Sequence, residues 1–184
     1  LKNILLLIIS FSMSYLMAQE KIVLFNVNVI NGLNSTVQKD MMVFISNGKI
    51  ESIKNIGSKP KGYKEIDLNG MYILPGFIDA HTHSLEELMS KDKNSNLNYL
   101  TQGVTTVVNG NDGAGPVDFI KAKQALEQNG IGTNTALLVG HGKLRAQVIG
   151  RAERFAKPDE IAQMKALLNT AMQQGAIGLS SGLY

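Results

Sequence analysis

Cysteine is absent from the 184 residues, which removes disulfides, cysteine zinc sites and a cysteine nucleophile together. The same absence rules out a lipobox, so no lipid anchor is expected. Lysine and arginine form no dense block despite a net charge of +3, and a nucleic-acid partner is therefore not indicated. Neither a Gly-x-Gly-x-x-Gly run nor a P-loop occurs, so no glycine-rich phosphate cradle is on offer. Histidine is scarce: His81, His83 and His141 are the complete set. What remains is 44% hydrophobic and 18% charged, the balance of a globular chain about the size of one average domain.

The first stretch reads as a targeting segment. Lys2 precedes an uncharged apolar run from Ile4 to Ala18, and Glu20 is the first acid. The run is short for a membrane span, which needs about 20 apolar residues. Residues 1–18 are thus expected to be a signal peptide cleaved near Ala18, with an uncleaved anchor or a buried helix as the competing readings. The protein is expected to be exported, periplasmic or extracellular after cleavage, with no stable membrane anchor.

From Lys21 short β segments take over. Ile22–Phe25, Val27–Ile30, Met41–Ile45, Lys49–Ile53, Glu65–Leu68 and Met71–Leu74 read as strands, with turns at Asn31-Gly32, Asn47-Gly48 and Asn69-Gly70. After Pro75-Gly76 the rhythm becomes strand then helix. Strands are expected at Phe77–Thr82, Val104–Asn109, Thr133–Gly140 and Ala176–Ser180. Helices are expected at Asn96–Gln102, Pro116–Asn129 and Pro158–Gln174, the last two stopped by Gly130 and Gly175. Such alternation argues for parallel strands joined by crossover helices. It does not by itself separate a barrel from an open sheet; the missing phosphate loop favours the barrel.

Asp79, His81 and His83 are spaced by two. On a strand this places all three on one face, at the C-terminal end where barrel enzymes keep reactive groups. Two same-face imidazoles suit one metal ion, and Asp79 is placed to orient a ligand from one layer below. Two exposed histidines at a strand end is the plain alternative.

The run Met71-Tyr-Ile-Leu-Pro-Gly-Phe-Ile-Asp-Ala-His-Thr-His83 resembles the first-strand signature of the amidohydrolase superfamily. The runs Gly-Val-Thr-Thr-Val-Val-Asn-Gly-Asn-Asp-Gly113, Val-Gly-His-Gly-Lys-Leu-Arg145 and Gly-Leu-Ser-Ser-Gly-Leu-Tyr184 resemble the N-acyl-D-amino-acid deacylases, or D-aminoacylases, within it. The resemblance implies an α/β chain: a small β-sandwich portion (19–74), then the first half of a TIM-type (β/α)8 metal-dependent hydrolase barrel (75–184, four βα units). It implies one or two divalent metal ions, commonly zinc, with His81 and His83 as ligands. The fourth strand, Ala176–Ser180, lacks the lysine that bridges the metals in many binuclear members. Typical D-aminoacylases carry a metal-binding cysteine where this chain has Asp112. A carboxylate also binds zinc and suits harder ions than a thiolate does, so Asp112 is expected as a metal ligand, with a glycine-rich turn cap as the alternative.

His141 and Arg145 are expected at the mouth of the site, where a guanidinium suits a substrate carboxylate; an ordinary loop explains them as well. Ser180 and Tyr184 are expected to offer hydrogen bonds to substrate, unless the serine belongs only to a turn. The implied activity is metal-assisted hydrolysis of carbon–nitrogen bonds other than ordinary peptide bonds, on a small-molecule partner: an N-acyl-D-amino acid or a D-residue dipeptide. The metal activates water and a carboxylate serves as general base. That base is an aspartate on barrel strand eight in the superfamily, with further histidines from strands five and six. None of these falls within the chain, and a barrel typically takes about 250 residues. The chain is accordingly expected to be an N-terminal fragment, with its general base beyond Tyr184, inactive and poorly stable alone. Two alternatives stand: a cyclic-amide hydrolase resembling hydantoinases or dihydroorotases, disfavoured by the missing lysine, and a non-catalytic truncated copy.

Overall fold

The computed structural model describes residues 21–58 and 61–182. The segment read as a signal peptide, residues 1–18, lies outside them, as does Tyr184. Among the described residues no helix is long and apolar enough to cross a membrane. The chain divides into two compact units, Leu1–Pro75 and Gly76–Tyr184.

The first unit is built on one five-stranded sheet. Its strands are β1 (Ile22–Val29), β2 (Gln38–Ser46), β3 (Lys49–Asn55), β4 (Lys64–Asp67) and β5 (Tyr72–Ile73). The order is β3-β2-β1-β4, with β5 also on β1; β1 runs antiparallel to β2 and parallel to β4 and β5. The hairpin between β2 and β3 turns at Asn47 and Gly48, both at positive φ (56° and 69°), as a two-residue primed turn requires. The two segments expected at Ile22–Phe25 and Val27–Ile30 form one strand interrupted by a bulge. Asn26 adopts φ 54°, and the pairing slips between Leu24 and Val27. The extra residue reverses the alternation. Val23 and Phe25 therefore join Met42 and Phe44 in one apolar cluster, while Leu24, Val27 and Val29 join Met41 and Val43 in another. The sheet thus carries apolar clusters of both registers.

The second unit alternates strand and helix. Its strands are β6 (Phe77–Asp79), β7 (Val104–Asn109), β8 (Asn134–Gly140) and β9 (Gly178–Ser180), adjacent in that order and parallel throughout. Its helices are α1 (Leu85–Met89), α2 (Leu97–Leu100), α3 (Phe119–Asn129), α4 (His141–Ile149) and α5 (Pro158–Gln173). The helix expected from Pro116 starts at Phe119, because the Asp118 carboxylate accepts from the Lys121 N–H at 3.0 Å and caps the first turn. Neither α1 nor α4 was expected. The residue before α4 is Gly140, and no side chain caps it, so the usual entry signal is missing. The core joins Val107 of β7 and Leu137 and Val139 of β8 to Leu88 of α1, Phe119, Ala122 and Leu126 of α3, Leu144 of α4 and Ala171 of α5. Phe119, Ala122 and Leu126 recur at the spacing of one helical face.

Candidate metal centre

Strand β6 ends at Asp79, so the strand expected through Thr82 is shorter, and His81 and His83 sit on the segment that follows it. Asp79 has a different task from the one expected: its carboxylate accepts the His81 backbone N–H at 3.1 Å and turns the chain, rather than orienting an imidazole. Thr82 nevertheless stays against β7. Its N–H donates to the Val108 carbonyl at 3.0 Å, its hydroxyl donates to the same carbonyl at 2.8 Å, and it is buried. With Thr82 turned inward, the flanking histidines turn outward together. Their ring centroids lie 5.4 Å apart.

Asp112 comes from the loop after β7. The loop Gly110-Asn111-Asp112-Gly113 holds three residues at positive φ: Gly110 (89°), Asp112 (54°) and Gly113 (76°). Aspartate tolerates the left-handed region better than most residues, at some cost. The turn is closed by a backbone bond from the Ala114 N–H to the Asn111 carbonyl at 3.0 Å, not by the Asp112 side chain. That carboxylate instead meets both histidines: Oδ2 lies 3.3 Å from His81 Nε2 and 3.0 Å from His83 Nε2. The three ligand atoms lie within 4.8 Å of one another. Around a tetrahedral ion with bonds of about 2.1 Å, ligand atoms sit about 3.4 Å apart, so both carboxylate edges are within a few tenths of an ångström of that geometry. The third edge, between the imidazoles, is no longer than 4.8 Å, and rings about 60% exposed can rotate to adjust it (62% and 61%). Two imidazoles and one carboxylate form a donor set suited to zinc and its neighbours. The residues present fit a divalent cation.

Beneath His81, His83 and Asp112 runs a buried polar network. Asn111 donates through Nδ2 to the Thr82 carbonyl (3.1 Å) and the Val108 carbonyl (2.9 Å). The Thr82 hydroxyl reaches Asn109 Oδ1 at 3.1 Å. Asn109, wholly buried, donates to the Ser84 hydroxyl at 3.3 Å and the Thr135 hydroxyl at 3.2 Å. None of these residues was singled out from sequence. The two asparagines lie inside a run whose glycines and asparagines signal a turn, and nothing in their spacing marks them as buried. A pocket beside His83 is lined by Asn109, Gly110, Asn111, Ala114, Leu85 and Glu86.

The other expected residues sit elsewhere or are otherwise engaged. His141 is the exposed first residue of α4 and is not among the three converging ligands. It lines a groove with Leu144, Phe155 and Met164. Arg145 was expected to face a substrate carboxylate; its guanidinium donates to the Ala152 carbonyl (2.7 Å) and the Arg154 carbonyl (2.6 Å), which anchors the loop before α5. In the same loop Arg154 bonds both oxygens of Glu160 (2.8 and 2.6 Å) and, with the Lys157 N–H behind it, holds that carboxyl down at about 2. The Ser180 hydroxyl, expected to meet substrate, donates to the Gly110 carbonyl and accepts from the Gly113 N–H at 3.1 Å. It clasps the Asp112 loop.

The profile of the amidohydrolase family matches residues 64–183. The D-aminoacylase of Alcaligenes xylosoxydans xylosoxydans is 34% identical over 150 residues, which cover 69% of this chain and 31% of that protein. Among solved structures, a D-aminoacylase studied for its binuclear metal centre superposes with a TM-score of 0.76 at 31% identity, over 87% of this chain and 38% of the other. The N-acyl-D-glutamate deacylase of Bordetella bronchiseptica, complexed with zinc and a phosphonate that mimics the tetrahedral intermediate, gives a TM-score of 0.76 at 26% identity, over 90% of this chain and 38% of the other. The chain therefore spans about a third of the length of these relatives, and its curled parallel sheet is the half-barrel shared with them. A family profile covering most of the parallel unit, together with a common fold at appreciable identity, establishes that the chain belongs to the amidohydrolase family.

Proposed function

We propose that this chain is part of an exported, metal-dependent hydrolase that removes the acyl group from N-acyl-D-amino acids or cleaves D-residue dipeptides. The observation that carries the reading is the meeting of one ligand atom each from His81, His83 and Asp112 within 4.8 Å at the C-terminal end of a parallel sheet. Relatives that act on N-acyl-D-amino acids support the substrate class, and the zinc-bound relative supports zinc as one of one or two divalent ions. When bound, such an ion lowers the pKa of a water and polarises the amide carbonyl. The residues of this chain hold it in place. The imidazoles would present nitrogen donors, the Asp112 carboxylate would offset part of the positive charge, and the exposure of both rings leaves room for water and a small amide. His141 and Tyr184 are proposed to meet the substrate, while Arg145 and Ser180 act by holding loops. The general base is proposed to come from the part of the relatives' length that this chain does not span. The N-terminal sheet, apolar in both registers, is proposed to form one layer of a small β-sandwich.

The test is an assay of the intact protein, stripped of metal and reconstituted with zinc, on N-acetyl-D-amino acids, their L enantiomers and hydantoins. Zinc-dependent release of acetate from the D series is expected. Hydantoin opening without deacylation, or deacylation that survives complete metal removal, would reject the reading.

A further inference from the structure

We propose that Asn111 is the positioning residue that sets Asp112 against the two histidines, with Ser180 closing the same loop from the other side; this rests on reading His81, His83 and Asp112 as a metal centre. The ligands come from two separate segments, and nothing in the covalent chain fixes the distance between them. Asn111 supplies the tie. It adjoins Asp112, it is more than nine-tenths buried (7% exposed), and both N–H groups of its amide are used. One goes to the Thr82 carbonyl at 3.1 Å, part of the peptide that leads into His83. The other goes to the Val108 carbonyl at 2.9 Å, at the end of β7. A primary amide is the one neutral side-chain group that offers two forked N–H donors. Here they join the histidine segment to the strand from which the Asp112 loop springs.

Ser180 supplies the second tie. Its hydroxyl donates to the Gly110 carbonyl and accepts from the Gly113 N–H, gripping both ends of the four-residue loop at once. The loop needs such a grip, because Gly110, Asp112 and Gly113 all hold positive φ, and a released loop would relax toward commoner backbone conformations. Groups that orient metal ligands commonly set affinity by about 10–100-fold.

The experiment measures zinc affinity by chelator competition in the intact protein, with cobalt absorption spectra as a second readout of the coordination sphere. Asn111→Ala is expected to weaken zinc binding about 10–100-fold and to alter the cobalt spectrum. Added to Asp112→Ala it is expected to weaken binding no further, because its effect passes through the carboxylate. Ser180→Ala is expected to weaken binding in the same direction, and Ser180→Thr, which keeps the hydroxyl, to restore most of it. This serine pair carries the test where Asn111→Ala fails to fold. Additive losses in the Asn111→Ala/Asp112→Ala double variant, or equal affinities for Ser180→Ala and Ser180→Thr near that of the parent, would overturn the proposal. Zinc binding untouched by His81→Ala or His83→Ala would overturn the metal centre itself, and the positioning role with it.

Discussion

Asp112→Ala tests the centre at its one carboxylate. In the structure one carboxylate oxygen stands 3.3 and 3.0 Å from two imidazole nitrogens, against about 3.4 Å between ligands of a tetrahedral ion. Inserting an ion therefore requires little movement of the carboxylate. Removing it deletes one of three donors and the only negative charge among them. Loss of a group that merely orients a ligand costs about 10–100-fold in affinity, so loss of the ligand itself is expected to cost at least about 100-fold, or about 2.8 kcal/mol at 1.4 kcal/mol per tenfold. Asp112→Asn keeps an oxygen but not the charge and is expected to fall between. Asp112→Cys is expected to bind and to shift preference toward softer ions such as cadmium. The assay is competition against a chelator of known affinity, with metal stoichiometry measured on the dialysed protein. Unchanged stoichiometry and affinity in Asp112→Ala would show that the carboxylate only accompanies two histidines.

Three further outcomes follow from the packing. Leu88 is fully buried in the core of the parallel unit, so Leu88→Ala is expected to destabilise that unit by about 2–5 kcal/mol, read from denaturant unfolding. A Cβ on Gly140 would strike the Gly113 carbonyl and the Gly115 nitrogen, backbone atoms that cannot swing aside, so Gly140→Ala is expected to lower the melting temperature and weaken metal binding together. The Glu160 carboxyl is held at about 2, below its ordinary 4.5, first by its hydrogen bonds from Arg154 and then by the Lys157 N–H. Its contribution is therefore present above the ordinary value and lost as pH falls toward 2, and Glu160→Gln is expected to flatten the pH dependence of amide exchange at the start of α5 across that window.

The parallel unit was legible because its signals are local. Beta-branched runs such as Val104–Asn109 and glycine stops at Gly130 and Gly175 mark element type and order without knowledge of the partner. Boundaries moved where a side chain decided them, as Asp118 did for α3. The bulge at Asn26 was not legible, because a single residue at positive φ leaves the apolar pattern looking like two short strands. His81, His83 and Asp112 were singled out from the His-x-His spacing and from resemblance, and the structure brings them together, but the geometric reason was only half right. The histidines share a direction because Thr82 is bonded inward against β7, not because they continue a strand. Ser180 and Arg145 illustrate the remaining gap: a polar residue near a strand end reads equally well as a substrate contact or as a loop tie. Only the positions of carbonyls distant in sequence, such as Gly110 for Ser180, separate the two.

Those ties explain an otherwise costly choice. Of the six buried polar residues among the described residues, four (Thr82, Ser84, Asn109 and Asn111) lie under the proposed ligands. An apolar layer there would pack without risk, whereas a buried polar group left unpaired costs about 1–3 kcal/mol. The cost is avoided because no buried side-chain nitrogen or oxygen among the described residues lacks a hydrogen-bond partner. Apolar side chains would fill the same space but set no register, since dispersion contacts tolerate small sliding and a forked amide does not. Donors that must meet one small ion from two segments need their spacing fixed to a fraction of an ångström. The polar layer supplies that constraint where the short strand β6 cannot, and this is why the histidines can leave the sheet and still meet Asp112.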